Sequence, residues 1–319
     1  MSDSHTLNRS AAVASIGAAL LLLLLKAWAA WSTGSTAMLG SLADTTLDLV
    51  ASCATLAGVW VAAMPADDQH RFGHGKAEAI AALFQIVLIS ISALGIAARA
   101  VEQFVAGGRT EAAADGIGVS VVAIVVTLTL LAWQRHVIRR TGSLAIQTDN
   151  VHYQSDLMLN LAVIAALALD QLAGWRHADP LFGLGIAAWL GWGAWTASQQ
   201  VLEQLMDHEW PAEKKDRLLA VLARNPDITG VHDMRTRTSG NRDFVQFHVW
   251  VDPEMSVRQA HRVMDDIEAR LQAEFPDTEI LIHPDPEGLV DEEGPASEDV
   301  LPHTCDIADH LASQPRDSA

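Results

Sequence analysis

Six long apolar runs, separated by short polar stretches, fill the first two-thirds of the chain; beyond them the pattern shortens to amphipathic segments. The runs lie at about residues 11–31, 36–63, 79–105, 116–138, 144–170 and 179–204. A helix crosses a bilayer with roughly 20 mostly apolar residues, so each run predicts a transmembrane helix. Asp115 suits the N-cap of the fourth, and Asp179-Pro180 opens the sixth with a cap and a proline. Trp28, Trp31, Trp60, Trp133 and Trp175 fall near predicted ends, where indole rings favour the membrane interface.

Past residue 206 the periods are those of a soluble domain. Ala212–Asn225 and Val257–Phe275 have helical spacing. Val231–Thr238 and Phe244–Val251 alternate as strands around the turn Ser239-Gly240-Asn241, and Glu279–His283 is a last short strand. The order α-β-β-α-β predicts a ferredoxin-like layer of helices on a sheet. The expected organisation is an N-terminal cytoplasmic segment, 1–10, and a six-helix transmembrane domain, 11–206. A small α/β ferredoxin-like cytoplasmic domain, 207–288, and an acidic, disordered tail, 289–319, follow.

Charge divides at the same boundary. From Asp207 onward 25 Asp and Glu face 11 Lys and Arg, which gives −14 of the chain's net −18. Phosphate backbones require a basic face, so nucleic acid is excluded as a partner. The two cysteines, Cys53 and Cys305, exclude a disulfide framework, and Cys53 reads as a small buried hydrophobe. No small-residue cleavage site follows the first apolar run, which reads as a retained helix and not a signal peptide. Arg9, Arg71, Lys76, Arg135, Arg139 and Arg140 fall on one side of the predicted membrane, against mainly Arg109 and Arg176 on the other. The positive-inside rule then places both termini in the cytoplasm.

The candidate chemistry sits inside the apolar runs. Asp44 and Asp48 are four apart, as are His152 and Asp156, so each pair projects from one face of its helix. At 1.5 Å per residue, both pairs lie roughly 14–20 Å from the ends of their helices, near the middle of an apolar core about 30 Å thick. An ionised carboxylate there costs at least ~3 kcal/mol. The apolar runs offer no Lys or Arg at that depth by this reading, so the acids must be protonated, hydrated or bound to a cation. Three carboxylates and one imidazole form a donor set suited to tetrahedral Zn²⁺. The ligands lose protons to bind metal, so proton and metal compete for one site.

The stretch from Pro65 to Glu78, with Asp44-x-x-x-Asp48, His152-Tyr-Gln-Ser-Asp156 and His283-Pro-Asp285, resembles the cation diffusion facilitators over residues 10–288. The resemblance implies a homodimeric divalent-metal/proton antiporter in the bacterial inner membrane. It implies a transport site at Asp44, Asp48, His152 and Asp156, and a second site at Asp67, His70 and His74 in the loop after the second helix. It also implies a binuclear cytoplasmic site at His232, His248, His261, His283 and Asp285, and a charge pair, Lys76 with Asp207, at the dimer interface. Zn²⁺ would be both cargo and a structural or regulatory ion, with Cd²⁺ or Fe²⁺ as other cargo. The residues alone leave Asp67, His70 and His74 open to the reading of a solvated loop. His303, Cys305 and His310 lie beyond the resemblance and receive no role from it. Two alternatives stay open: Mn²⁺, Co²⁺ or Ni²⁺ as the main cargo, and a membrane-anchored metal sensor without flux. No nucleophile–base constellation marks an enzyme.

Overall fold

The computed structural model describes residues 2–33, 36–107, 117–175, 177–287 and 299–301. Asp115, Arg109, Arg176, His303, Cys305 and His310 lie outside the described residues. The chain divides into two compact units, Met1–Leu205 and Met206–Ala319.

The first unit is six helices: α1 (Ser2–Thr33), α2 (Thr36–Ala62), α3 (Ala77–Val105), α4 (Ile117–Thr141), α5 (Leu144–Ala173) and α6 (Ala178–Leu205). Among the described residues, α1 to α4 each contain a stretch long and apolar enough to cross a membrane. The other two have 30 and 28 residues, ample for a span at 1.5 Å per residue. Leu94, Leu172 and Trp192 are exposed, as are the five tryptophans at the predicted ends. A surface so apolar suits lipid, where helices satisfy their own backbone groups.

Two sequence-based expectations change here. The predicted N-terminal segment is part of α1, because Asn8 is buried and its Nδ2 donates to Glu78 Oε1 at 3.2 Å. Cys53 is exposed, since Ala51, Ser52 and Thr55 form the inward face of α2 and turn its thiol outward. Asp179 lies within the first turn of α6, and its carboxylate accepts from Gln103 Nε2 at 2.8 Å, which ties α6 to α3. Small residues let these helices approach closely: Ala79, Ala82 and Ala93 of α3 pack with Leu190, Ala194 and Val201 of α6. Gly58 does the same for α2, where an added Cβ would overlap Ala81 Cβ.

The second unit holds α7 (Ala212–Leu222), β1 (Gly230–Ser239), β2 (Arg242–Val251), α8 (Val257–Glu274), β3 (Thr278–Pro286) and β4 (Asp299–Leu301). The sheet order is β3-β2-β1-β4, with β1 antiparallel to β2 and β2 parallel to β3. Gly240, at φ +63°, turns the β1–β2 hairpin. Ser256 and Gln259 form a capping box that starts α8. Leu218, Leu222, Ile267 and Leu271 of the helices bury their side chains with Val245, Phe247 and Val249 of the sheet. β4 corrects the expectation of a wholly disordered tail. Its backbone pairs antiparallel with β1, whose outer edge otherwise presents unpaired amide and carbonyl groups.

The Gly58 contact yields a stability prediction. Gly58→Val should destabilise the helical unit by about 1–3 kcal/mol, because backbone must move to admit the side chain. Thermal unfolding of the purified protein in micelles should show a lowered Tm, whereas Gly17→Val, with open space around it, should leave the Tm near wild type.

Candidate metal centres

Three groups of possible metal ligands form among the described residues, each with donor atoms within 4.8 Å of one another. The first lies between α2 and α5. Asp48 comes from α2, and His152 and Asp156 project from one face of α5. His152 Nε2 lies 3.0 Å from Asp48 Oδ1, and the ring is buried. Asp44 stands on α2 one turn before Asp48; its side chain lies outside the described residues.

Two features of this group escape a reading of helical spacing. Lys26 of α1 reaches the same level: its Nζ donates to Thr45 Oγ1 at 2.6 Å, three residues from Asp48. The expectation that the runs hold no basic residue at that depth is therefore corrected. The long lysine stem carries an ammonium into an interior that a residue-by-residue count assigns to the end of α1. The other is Asp149, fully buried one turn before His152 and bonded to α1, α3 and α4. It stands outside the ligand spacing, so four-residue periodicity passes over it.

The second group is the loop between α2 and α3. Asp67 Oδ1 accepts from the backbone amides of Gln69 at 2.9 Å and His70 at 2.6 Å, an Asx-type turn. The same oxygen lies 3.2 Å from His70 Nδ1, and Asp67 Oδ2 lies 3.4 Å from His74 Nε2. Gly73, at φ +80°, folds the loop back so that the two imidazoles stand 4.5 Å apart. The His70 amide holds the Asp67 carboxyl below the usual range, partly offset by desolvation and aided by the Gln69 amide and the His70 ring.

The third group is built by strand register. His232 of β1 pairs with His248 of β2, and His248 with His283 of β3, so three imidazoles lie in a row on one face. Asp285, two residues after His283, supplies the common acceptor. Its Oδ2 lies 3.1 Å from His232 Nε2 and 2.8 Å from His248 Nδ1, while Oδ1 lies 3.1 Å from His283 Nε2. A carboxylate touched by imidazoles on both oxygens is a mixed nitrogen/oxygen donor set that could hold a divalent cation. His261 stands apart on α8, exposed and 3.1 Å from Asp265 on the same helix. Asp233 joins instead, with Oδ2 3.7 Å from His248 Nε2. Strand alternation sends Asp233 to the face opposite His232, but a bulge and a φ of +45° redirect it.

Lys76 and Asp207 are placed in different units. Lys76 Nζ donates to the Leu205 carbonyl at 3.1 Å, and Asp207 lies 3.6 Å from Arg237.

Residues 12–206 match the family model described as the cation efflux transmembrane domain, and residues 210–287 the one described as the cation efflux protein cytoplasmic domain. The chain is 39% identical over 287 residues to the cation-efflux pump FieF of Escherichia coli O127:H6, covering 90% of this chain and 95% of that protein. The FieF pump of Shigella flexneri serotype 5b matches with the same identity and coverage. The metal-bound C-terminal domain of the CzcD transporter from Thermotoga maritima is 32% identical, covering 25% of this chain and 93% of that chain, at a TM-score of 0.24.

The Asp67 turn predicts a pH response with a defined sign. A carboxyl lowered on folding contributes stability that is present above its ordinary pKa and is lost as pH falls through the lowered value. In protein labelled with ¹³C-aspartate, the Asp67 side-chain carboxyl resonance should therefore titrate below the ordinary carboxylate range. A carboxyl titration centred within or above that range contradicts the turn.

Proposed function

The chain belongs to the cation efflux family, and from that membership we propose a divalent-metal/proton antiporter that exports Zn²⁺, with Cd²⁺ or Fe²⁺ as other cargo, across the bacterial inner membrane. It is a transporter, and its first unit is a multi-pass membrane domain. The observation that carries the reading is the Asp48–His152–Asp156 group between α2 and α5.

Two carboxylates and an imidazole sit there among apolar helices, and Asp44 on the same helix as Asp48 completes the four-ligand set. The Lys26 ammonium offsets part of this charge, and a bound cation or protons must neutralise the rest. Metal loading therefore releases protons, and proton binding expels metal. When the site opens first to the cytoplasm and then outward, that exchange couples metal export to proton entry. The imidazole favours Zn²⁺ over Mn²⁺, which prefers an all-oxygen shell. A sensor without flux has no use for acids at this depth.

His232, His248, His283 and Asp285 form the resident binuclear site of the cytoplasmic domain, which supplies dimerisation and control. His261 enters that site only by leaving its pair with Asp265. These residues would hold zinc between three strands, where its charge would add to the strand pairing. Filling it favours one of two domain arrangements and so biases the transport cycle. Asp67, His70 and His74 form a weaker, exposed site in the loop. Lys76 and Asp207 act as a charge pair at the dimer interface, with both termini in the cytoplasm.

Proteoliposomes loaded with a zinc-sensitive dye and given an outward-directed or inward-directed proton gradient test this reading. Wild type should move zinc in the direction the gradient dictates, and Asp48→Ala should lower the rate at least about a hundredfold, as expected when a ligand essential to the transported state is removed. Zinc flux independent of the gradient, or full flux in the variant, contradicts antiport. For the cytoplasmic site, His232→Ala with Asp285→Ala should remove high-affinity zinc stoichiometry in calorimetry and leave measurable transport.

A further inference from the structure

Asp149 is a carboxylate that the transport chemistry leaves unused. It lies on α5 three residues before His152, with its side chain fully buried. Its Oδ1 accepts from Gln85 Nε2 of α3 at 2.8 Å. Its Oδ2 accepts from Ser15 Oγ of α1 at 2.6 Å and from Gln134 Nε2 of α4 at 2.7 Å. Ser15, Gln85 and Gln134 are buried to the same degree. Gln134 is itself oriented, because Asn150 Nδ2 donates to its Oε1 at 2.9 Å. Three helices thus converge on two oxygens of one side chain.

Tyr153, four residues on, anchors the same face of α5. Its hydroxyl donates to the Ser15 carbonyl at 3.0 Å and lies 3.0 Å from Ser52 Oγ of α2. The ligands His152 and Asp156 stand on the adjacent face, about 60° round the helix from Asp149 and Tyr153 at 100° per residue. Ligand atoms lie about 5–6 Å from a helix axis, so a 20° rotation of α5 displaces them by about 2 Å. Metal bond lengths hold to about ±0.2 Å, which allows a rotation of only about 2°.

The choice of aspartate also has a reason. A carboxylate presents both oxygens to the three donors, one to Gln85 and the other to Ser15 and Gln134, while Asn turns an NH₂ toward at least one of them. Leucine would remove the desolvation cost but leave the buried Gln85 amide without its acceptor, while Ser15 Oγ would keep only the Ala11 carbonyl at 3.1 Å and Gln134 Nε2 only the Ser15 hydroxyl at 3.0 Å. The cost of burying Asp149 is therefore tied to fixing one orientation of α5.

We propose that Asp149 is the positioning residue of the transport site: it never touches the ion, and it sets the rotation and height of α5 so that His152 and Asp156 meet Asp48. This rests on the reading of Asp48, His152 and Asp156 as the transport site. Asp149 acts on that site as an outer partner acts on a metal ligand, where substitution costs 10- to 100-fold in affinity by a general, order-of-magnitude rule of about that size.

The test is zinc and cadmium calorimetry on the full chain in micelles, with the cytoplasmic and loop groups removed by His232→Ala, Asp285→Ala, Asp67→Ala and His70→Ala. In that background Asp149→Asn should raise the zinc dissociation constant about tenfold or more and shrink the preference between the two metals. Adding Gln134→Glu exchanges carboxylate and amide across the same contact and should restore most of the affinity. A purely structural role lowers the Tm and leaves affinity and metal preference at their starting values, and that result overturns the proposal. So does a loss that the exchange variant fails to restore. If Asp149→Asn does not fold, Gln85→Leu carries the test, since it removes one donor and keeps the carboxylate: weaker zinc binding supports the proposal and unchanged binding overturns it. A misassigned transport site is recognised separately, because His152→Ala then leaves the zinc stoichiometry intact.

Discussion

A carboxylate among lipid-facing helices must be given donors or a cation, and the helical unit is arranged around that requirement. Glu78 receives Asn8 and Ser143, at 3.2 and 2.7 Å. Asp149 receives Ser15, Gln85 and Gln134. Each of these acids is satisfied by neutral donors from several helices, and each thereby joins α1, α3 and α5. Asp48 and Asp156 differ. Among the described residues, Asp48 meets His152 and the carboxylate of Asp156 receives no hydrogen bond. Acceptors left open beside an imidazole are what a cation or a proton can use. The same physical cost thus separates acids that build the bundle from the acids of the proposed transport site.

The cytoplasmic unit reaches a metal-binding arrangement by another route. Its histidines come from three strands, and their alignment follows from sheet register without any burial of charge in lipid. Asp285 sits close to all three rings because two residues of strand separate it from His283 on the same face. The site depends on the order of the strands, and the packing of α7 and α8 on the other face fixes that order. A metal held there would tie β1, β2 and β3 together.

Much of this was readable from the chain. Five of the six apolar runs fell within a few residues of α2 to α6, and the first lies inside the longer α1, because long apolar periodicity is a strong signal. Asp48, His152 and Asp156 followed from i,i+4 spacing at a common depth. What spacing could not supply were contacts made by reach or by irregular backbone. Lys26 enters by the length of its side chain. Asp233 enters through a bulge, where alternation fails. The contacts of Asp149 need four helices placed together before they are visible. The pairing of β4 with β1 joins segments almost 70 residues apart, which local pattern does not encode. His261 had the right residue type and a plausible helix, yet its own i+4 neighbour Asp265 holds it on the surface.

In the proposed function, Asp48, His152 and Asp156 bind the transported ion as a mixed nitrogen/oxygen set. Zinc X-ray absorption on the full chain measures this most directly, once the cytoplasmic and loop groups have been removed by substitution. A four-coordinate shell at about 2.0 Å with an imidazole signature and no sulfur is expected, lost in His152→Ala. A six-coordinate, all-oxygen shell at about 2.1 Å, unchanged by that substitution, would contradict it.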